Sequence, residues 1–215
     1  MPAKSQNNLD RFLGFDPATL YEAAGHQGMI DPTIRPAWPG ARICGPAATV
    51  ECPPGDNLML HHAVADAEPG VVIVATLGSY LFTGAWGEVL TVAAQARGIA
   101  GLVVDGAVRD VEGIAAHRFP VFSRGLAIGA CTKERTGHLN VPIVLGGVTV
   151  HPGDLIFGDA DGLVVIERGR LDHVYEAAVL RRDREAGLMD QLRAGKTTIE
   201  LLGLPPLVQG EVTGQ

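Results

Sequence analysis

Basic runs, long apolar stretches and paired cysteines are all missing from this 215-residue chain. Seventeen basic residues stand against 24 acidic ones, a net charge of −7, and the basic ones form no stripe of the kind a nucleic-acid surface needs. The longest apolar runs, such as 71–77, fall far short of the roughly 20 residues that span a bilayer, so no membrane partner is expected. Cys44, Cys52 and Cys131 are odd in number and follow neither CxxC nor any zinc spacing. That argues against a disulfide framework and for reduced thiols in the cytoplasm. The opening MPAKSQNNLDRF has no apolar h-region, which fits a cytoplasmic protein.

What the chain does have is apolar material for a sizeable core, 47% of its residues, and glycines and prolines scattered as turns. Short helices are expected at 17–25, 57–67 and 111–117, and a longer one at 85–97. Buried strands rich in β-branched residues are expected at 71–77 and 101–105, with a further strand at 47–51. Such alternation of strands and helices argues an α/β core. Beyond residue 120 the pattern changes to PVFSRG, VPIVLGGV, DLIFGD and GLVVIE, closely spaced short strands that suggest a compact β layer. A long polar helix follows at about 169–195, then a short one in TTIELLGLPP closed by proline. The long helix carries charged and apolar residues together, so packing on a neighbouring subunit is expected.

Chemistry concentrates in GLVVDGAVRD, residues 101–110. A buried strand leads to a turn, with Arg109 and Asp110 at the mouth of the next helix. Ligands of open α/β sheets collect at strand carboxyl ends, and helix N-termini favour anions. Arg109 offers a planar fork for a carboxylate or 2-oxo acid. Asp110 offers hard oxygens for magnesium or manganese. On these ten residues alone, Asp110 reads equally well as a plain helix N-cap.

A second segment is GAWGEVL, residues 84–90. Gly84 and Gly87 would let backbone N–H groups approach a carboxylate, and Glu88 opens a helix. Twenty residues separate Glu88 from Arg109, enough for one helix and one strand, so both helix starts can share a sheet edge. By itself Glu88 reads as a favourable charge in a first helical turn.

Other residues carry weaker signals. His61 and His62 lack a metal-ligand spacing and read as structural or substrate-adjacent. Lysine is scarce, only Lys4, Lys133 and Lys196. A Schiff-base mechanism needs a desolvated lysine, and Lys133, in the polar stretch CTKERTG, suits an anion contact better. Asp159 and Asp161 lack calcium-loop spacing and fit a turn between strands. Ser79 has no nucleophile elbow, and GAWGEV is not a dinucleotide fingerprint.

The ordered set of motifs resembles the RraA-like family, and within it the 4-hydroxy-4-methyl-2-oxoglutarate/4-carboxy-4-hydroxy-2-oxoadipate aldolases. It comprises an acidic residue, twenty residues and Arg-Asp (Glu88 to Arg109–Asp110), with YEAAGHQGMIDPTIRP, PPGDN, GLVVDGAVRDVEGI, FPVFSRG and NVPIVLGGVTVHPGDLIFGDADGLVVI. The likeness runs over roughly residues 17–203. It implies a layered α/β/β/α domain over 1–215 with a long C-terminal helix, assembled as a trimer or hexamer with sites between subunits. It implies a class II aldolase that releases pyruvate, with oxaloacetate decarboxylation alongside. Its cofactor would be a divalent cation, Mg2+ or Mn2+, and its partner a small 2-oxo acid.

Residue by residue, the resemblance makes Asp110 a direct metal ligand and Glu88 the holder of a metal-bound water. Arg109 would bind the 2-oxo group and stabilise the enolate. The backbone of Gly87, Glu88, Val89 and Leu90 would grip the pyruvate carboxylate. Glu185, from a neighbouring subunit's long helix, would approach the metal, with Glu176 on the same helix as the other choice. Glu88 departs from the Asp often found there. The family also contains regulators that bind and inhibit a ribonuclease, which is the alternative function.

Overall fold

The computed structural model describes residues 9–205; Lys4 and the opening MPAKSQNN lie outside them. In chain order the elements are α1 (Pro17–Ala23), β1 (Arg35–Pro36), β2 (Ile43–Glu51), α2 (Leu58–Asp66), β3 (Val72–Gly84), α3 (Glu88–Ala96), β4 (Gly101–Val108) and α4 (Val111–Ala116). Then come β5 (Val121–Leu126), β6 (His138–Leu139), β7 (Ile143–Leu145), β8 (Val148–Val150), β9 (Leu155–Gly158), β10 (Leu163–Ile166), α5 (Leu171–Arg193) and α6 (Thr198–Leu202). Residues up to 178 form one compact unit, and a second begins at 179, within α5. No helix of the described residues is long and apolar enough to cross a membrane.

The first unit is built on one sheet in the order β1-β5-β4-β3-β2-β9-β10, with β6 also pairing with β2. Strands β2, β3, β4 and β5 run parallel, joined through α2, α3 and α4. Parallel strands need coverage on both faces, and β4 shows it, since all eight of its residues are buried. The period-2 alternation sorts side chains onto two cores. Ile73, Ala75, Leu77, Leu102 and Val104 meet Leu60, Val64, Leu90 and Ile114 of the helices. Val72, Val74, Val103 and Phe122 face the other way, against Ile143, Leu145 and Val150 of the β7–β8 hairpin and Ile156 of β9. The result is the expected mixed α/β fold with a curled sheet and a long C-terminal helix.

Several local expectations are corrected. The late strands do not all form a separate layer: β9 pairs antiparallel with β2 and carries β10 with it, so only β7 and β8 stand apart. β3 runs well past residue 77. Gly78 and Ser79, at φ 64° and 59°, shift the register instead of ending the strand, and pairing with β4 resumes at Tyr80 and Gly84. The helix expected at 85–97 begins only at Glu88, because Ala85 and Trp86 are held as extended chain by β4. The final helix is closed by Gly203, in the left-handed conformation at φ 61°, not by proline. Asp159 and Asp161 do form the β9–β10 turn, with the Asp161 N–H donating to Asp159 Oδ1 at 2.9 Å.

Burial pushes the Cys44 thiol up to about 11 and the Cys52 thiol up to about 12, so neither is a reactive thiolate at neutral pH. At the β5 edge Arg124 joins two acidic side chains. Its Nε donates to the buried Asp105 at 2.6 Å, and its Nη1 donates to Asp31 at 2.9 Å. The backbone and hydroxyl of Thr33, and then Arg124, lower the Asp31 carboxyl to about 2. A depressed carboxyl contributes stability that is present above its unfolded value and lost as pH falls through its folded one. Stability should therefore hold from neutral pH down to about 4 and decline between about 4 and 2. Asp31→Asn should be less stable at pH 7 and show a shallower acid decline, as read from urea midpoints by circular dichroism.

Candidate active site

The site forms where β3 and β4 end side by side. The Ala85 N–H donates to Ala107 O, and the Arg109 N–H donates to Trp86 O, both at 2.8 Å. This lacing carries the 84–88 segment alongside the 107–110 segment. Trp86, 1% exposed, anchors it by stacking on Phe119 at 6.0 Å and by donating from Nε1 to Thr91 Oγ1 at 2.8 Å.

Two glycines make the approach possible by having no side chain. A Cβ at Gly84 would lie 2.5 Å from Ala127 O and 2.8 Å from Arg109 Cβ. A Cβ at Gly87 would lie 2.3 Å from Asp110 Oδ2. Gly87 is extended, so it is space and not backbone freedom that selects glycine here.

Asp110 stands at the N-cap position of α4 but makes no cap hydrogen bond to it. Its backbone is left-handed, at φ 57° and ψ 39°, an unfavourable conformation outside glycine and asparagine-like residues. That turn aims the carboxylate at the start of the neighbouring helix, where Oδ2 accepts the Glu88 N–H at 3.2 Å and lies 3.6 Å from Arg109 Nε. Oδ1 bonds to no described residue.

Arg109 and Asp110 line a cavity of about 170 Å3 together with Gly87, Val89 and Leu90. Asn57, which precedes α2, and His61 within it also line the cavity, and the 131–135 loop adds Lys133. The Asn57 Nδ2 donates to Ala85 O at 2.8 Å, but its Oδ1 is buried without a partner, as is His61 Nε2. Both residues line the cavity, but these two atoms have essentially no accessible surface of their own. Burial, followed by the charge of Lys133, lowers the His61 pKa and favours the neutral ring. Arg109 and Asp110 also border a second, shallower depression of about 310 Å3 that includes Leu126 and Ile128.

The structure thus brings Arg109, Asp110 and the 87–90 backbone together. The Glu88 carboxylate does not line the cavity with them. It lies along α4, with Oε1 3.0 Å from His117 Nε2, over Gly113, where a Cβ would come 2.6 Å from Glu88 Cδ. Glu185 belongs to the second unit and pairs with Arg181 at 2.6 Å. Among the described residues no group of three or more His, Cys, Asp or Glu side chains could hold a metal. Magnesium keeps most of its waters and needs only one or two carboxylates, so the free Asp110 oxygen fits such an ion. Sequence reasoning passed over Asn57, and placed His61 and Lys133 only loosely. The motif PPGDN was the signal for Asn57 and His61, and the scarce lysine of CTKERTG the signal for Lys133.

Gly113 interrupts a helix, which normally costs roughly 0.5–1 kcal/mol against alanine. Gly113→Ala should yield less than that gain, because the new methyl displaces Glu88 from His117. In a Glu88→Ala background the full gain of roughly 0.5–1 kcal/mol should appear in urea denaturation. Equal gains in both backgrounds would show that Gly113 is not kept open for this carboxylate.

Comparison with known proteins shows the family. The family model RraA-like (Aldolase/RraA) matches residues 17–165. A protein of Halalkalibacterium halodurans named "Putative 4-hydroxy-4-methyl-2-oxoglutarate aldolase" is 40% identical over 172 residues, 78% of this chain and 82% of that one. Among solved structures, an uncharacterized protein of Pseudomonas syringae superimposes with a TM-score of 0.81 at 30% identity, covering 90% of this chain and 95% of that one. The RNA-processing inhibitor RraA of Thermus thermophilis gives a TM-score of 0.65 at 26% identity, over 71% of this chain and 92% of that one. The chain belongs to the RraA-like family.

Proposed function

We propose that this protein is a divalent-cation-dependent aldolase. It cleaves 4-hydroxy-4-methyl-2-oxoglutarate or 4-carboxy-4-hydroxy-2-oxoadipate to release pyruvate, and decarboxylates oxaloacetate as a side reaction. The observation that carries this reading is the shared cavity. An arginine fork, a carboxylate with one free oxygen and a lysine border one space of about 170 Å3 at two strand ends, lined also by Asn57 and His61. The 40% identical relative bears an aldolase name, which supports the same reaction class.

Each residue has a definable task. Arg109 donates to the 2-oxo oxygen, where negative charge grows as the C3–C4 bond breaks. The first N–H groups of a helix lack partners within it. In α3 the Glu88 N–H is taken by Asp110, which leaves Val89 and Leu90 to grip the pyruvate carboxylate, with Gly87 giving room for the approach. Asp110 would hold the Mg2+ or Mn2+ ion through Oδ1, and the Glu88 carboxylate, which opens α3 and pairs with His117, would turn from that partner to reach the ion's water. The chemistry a divalent cation supplies there is neutralisation of the developing oxyanion. A second carboxylate comes from Glu185 of a neighbouring copy in a cytoplasmic trimer or hexamer. That assignment is in keeping with the lack of a three-donor group within the described residues of one chain.

The other reading, a regulator that binds a ribonuclease, draws on the likeness to the Thermus inhibitor. The cavity that gathers Arg109, Asp110 and Lys133 favours the enzyme, because recognition of a protein surface requires no such recess.

Purified protein with magnesium or manganese should release pyruvate from a 4-hydroxy-2-oxo acid and from oxaloacetate, in a lactate-dehydrogenase-coupled assay, and EDTA should stop it. Asp110→Ala and Arg109→Lys should each lower kcat by roughly 10²-fold or more while circular dichroism stays unchanged. Silence on every such substrate, together with tight ribonuclease binding, would reverse the order of the two readings.

A further inference from the structure

Asp56 is fully buried, with 0% of its surface exposed, and forms no ion pair among the described residues. Four donors from two stretches of chain satisfy its carboxylate instead. Oδ1 accepts the Leu58 N–H at 2.9 Å. Oδ2 accepts the Thr132 hydroxyl at 2.6 Å, the Glu134 N–H at 2.8 Å and the Arg135 N–H at 3.1 Å. The backbones are laced around it: the Asn57 N–H donates to Thr132 O at 3.1 Å, and the Thr132 N–H donates to Gly55 O at 3.0 Å. Arg135 closes the junction by donating from Nη2 to Pro54 O.

The two stretches joined here both supply the cavity. One opens α2 and carries Asn57 and His61. The other carries Lys133, whose neighbours Thr132 and Glu134 both donate to the Asp56 carboxylate. We infer that Asp56 is a positioning residue of the active site, whose carboxylate sets Lys133 at the cavity with Arg109 and Asp110 by fastening the 131–135 loop to the start of α2. The inference rests on the aldolase reading. It assigns a role to the aspartate of PPGDN that touches no ligand.

Chemistry explains why the residue is aspartate. An ionised carboxylate has two oxygens with about four acceptor sites, matching four donors, whereas asparagine would present its own N–H2 to some of them. Burial alone would raise the carboxyl's pKa. The donors Glu134, Thr132, Leu58 and Arg135 outweigh it and hold Asp56 well below the usual carboxylate range.

The test uses the full-length protein with magnesium and the pyruvate-release assay, on Asp56→Asn, Lys133→Met and the double variant. Asp56→Asn should raise KM roughly tenfold, with a smaller change in kcat. It should add little once Lys133→Met is present, because residues acting through one another are not additive. If Asp56→Asn does not fold, Thr132→Val, which removes the hydroxyl's bonds to Asp56 at 2.6 Å and to Gly55 O at 3.4 Å and keeps the backbone donors, takes its place in the cycle and should show the same pattern at smaller size. An active wild type whose folded variant keeps its KM, or whose two substitutions multiply independently, overturns the inference alone. A wild type that releases no pyruvate overturns the aldolase reading and takes this inference with it.

Discussion

Everything at the site depends on how closely two backbones approach where β3 and β4 end. Alanine in place of Gly84 would drive a methyl into the carbonyl of Ala127 and the stem of Arg109, and alanine in place of Gly87 would displace the Asp110 carboxylate. Without those two spaces the strand ends would splay, and the hydrogen bond from the Arg109 N–H to Trp86 O could not hold the guanidinium and carboxylate on one side. The left-handed backbone at Asp110 is the conformational cost of this arrangement. In return a carboxylate that could have capped its own helix, α4, is turned toward the start of α3.

Electrostatics follow from that geometry. The protein carries a net −7 and only three lysines, so binding an anionic substrate requires local concentration of positive charge. Arg109 comes from a strand end and Lys133 from a distant loop, and both border the same small cavity. The same cavity is lined by the start of α3, a helix N-terminus whose dipole favours an anion.

Glu88 puts its backbone and its side chain to separate uses. Its backbone N–H takes part in the site through Asp110, while its longer side chain lies along α4 to reach His117 over the open face of Gly113. The seat is built from two helices, and neither α3 nor α4 would predict it alone.

Much of the architecture was legible in the chain. GLVVDGAV is apolar at every position but one, and a strand buried on both faces needs that composition. Arg109 and Asp110 were legible as a pair because a strand followed by a helix fixes where its junction lies. The family likeness was legible because its motifs occur in order along most of the sequence. The bulge at Gly78 and Ser79 was not, since local turn chemistry predicts an end to β3 and only pairing with β4 carries it onward. Nor was the direction of the Glu88 carboxylate, or the meeting of Asn57 with Lys133 through a buried Asp56. Periodicity and local preference determine which residues are strand, helix or turn. Contacts between segments 20 to 80 residues apart are decided only when desolvation forces each buried polar group to find its partner.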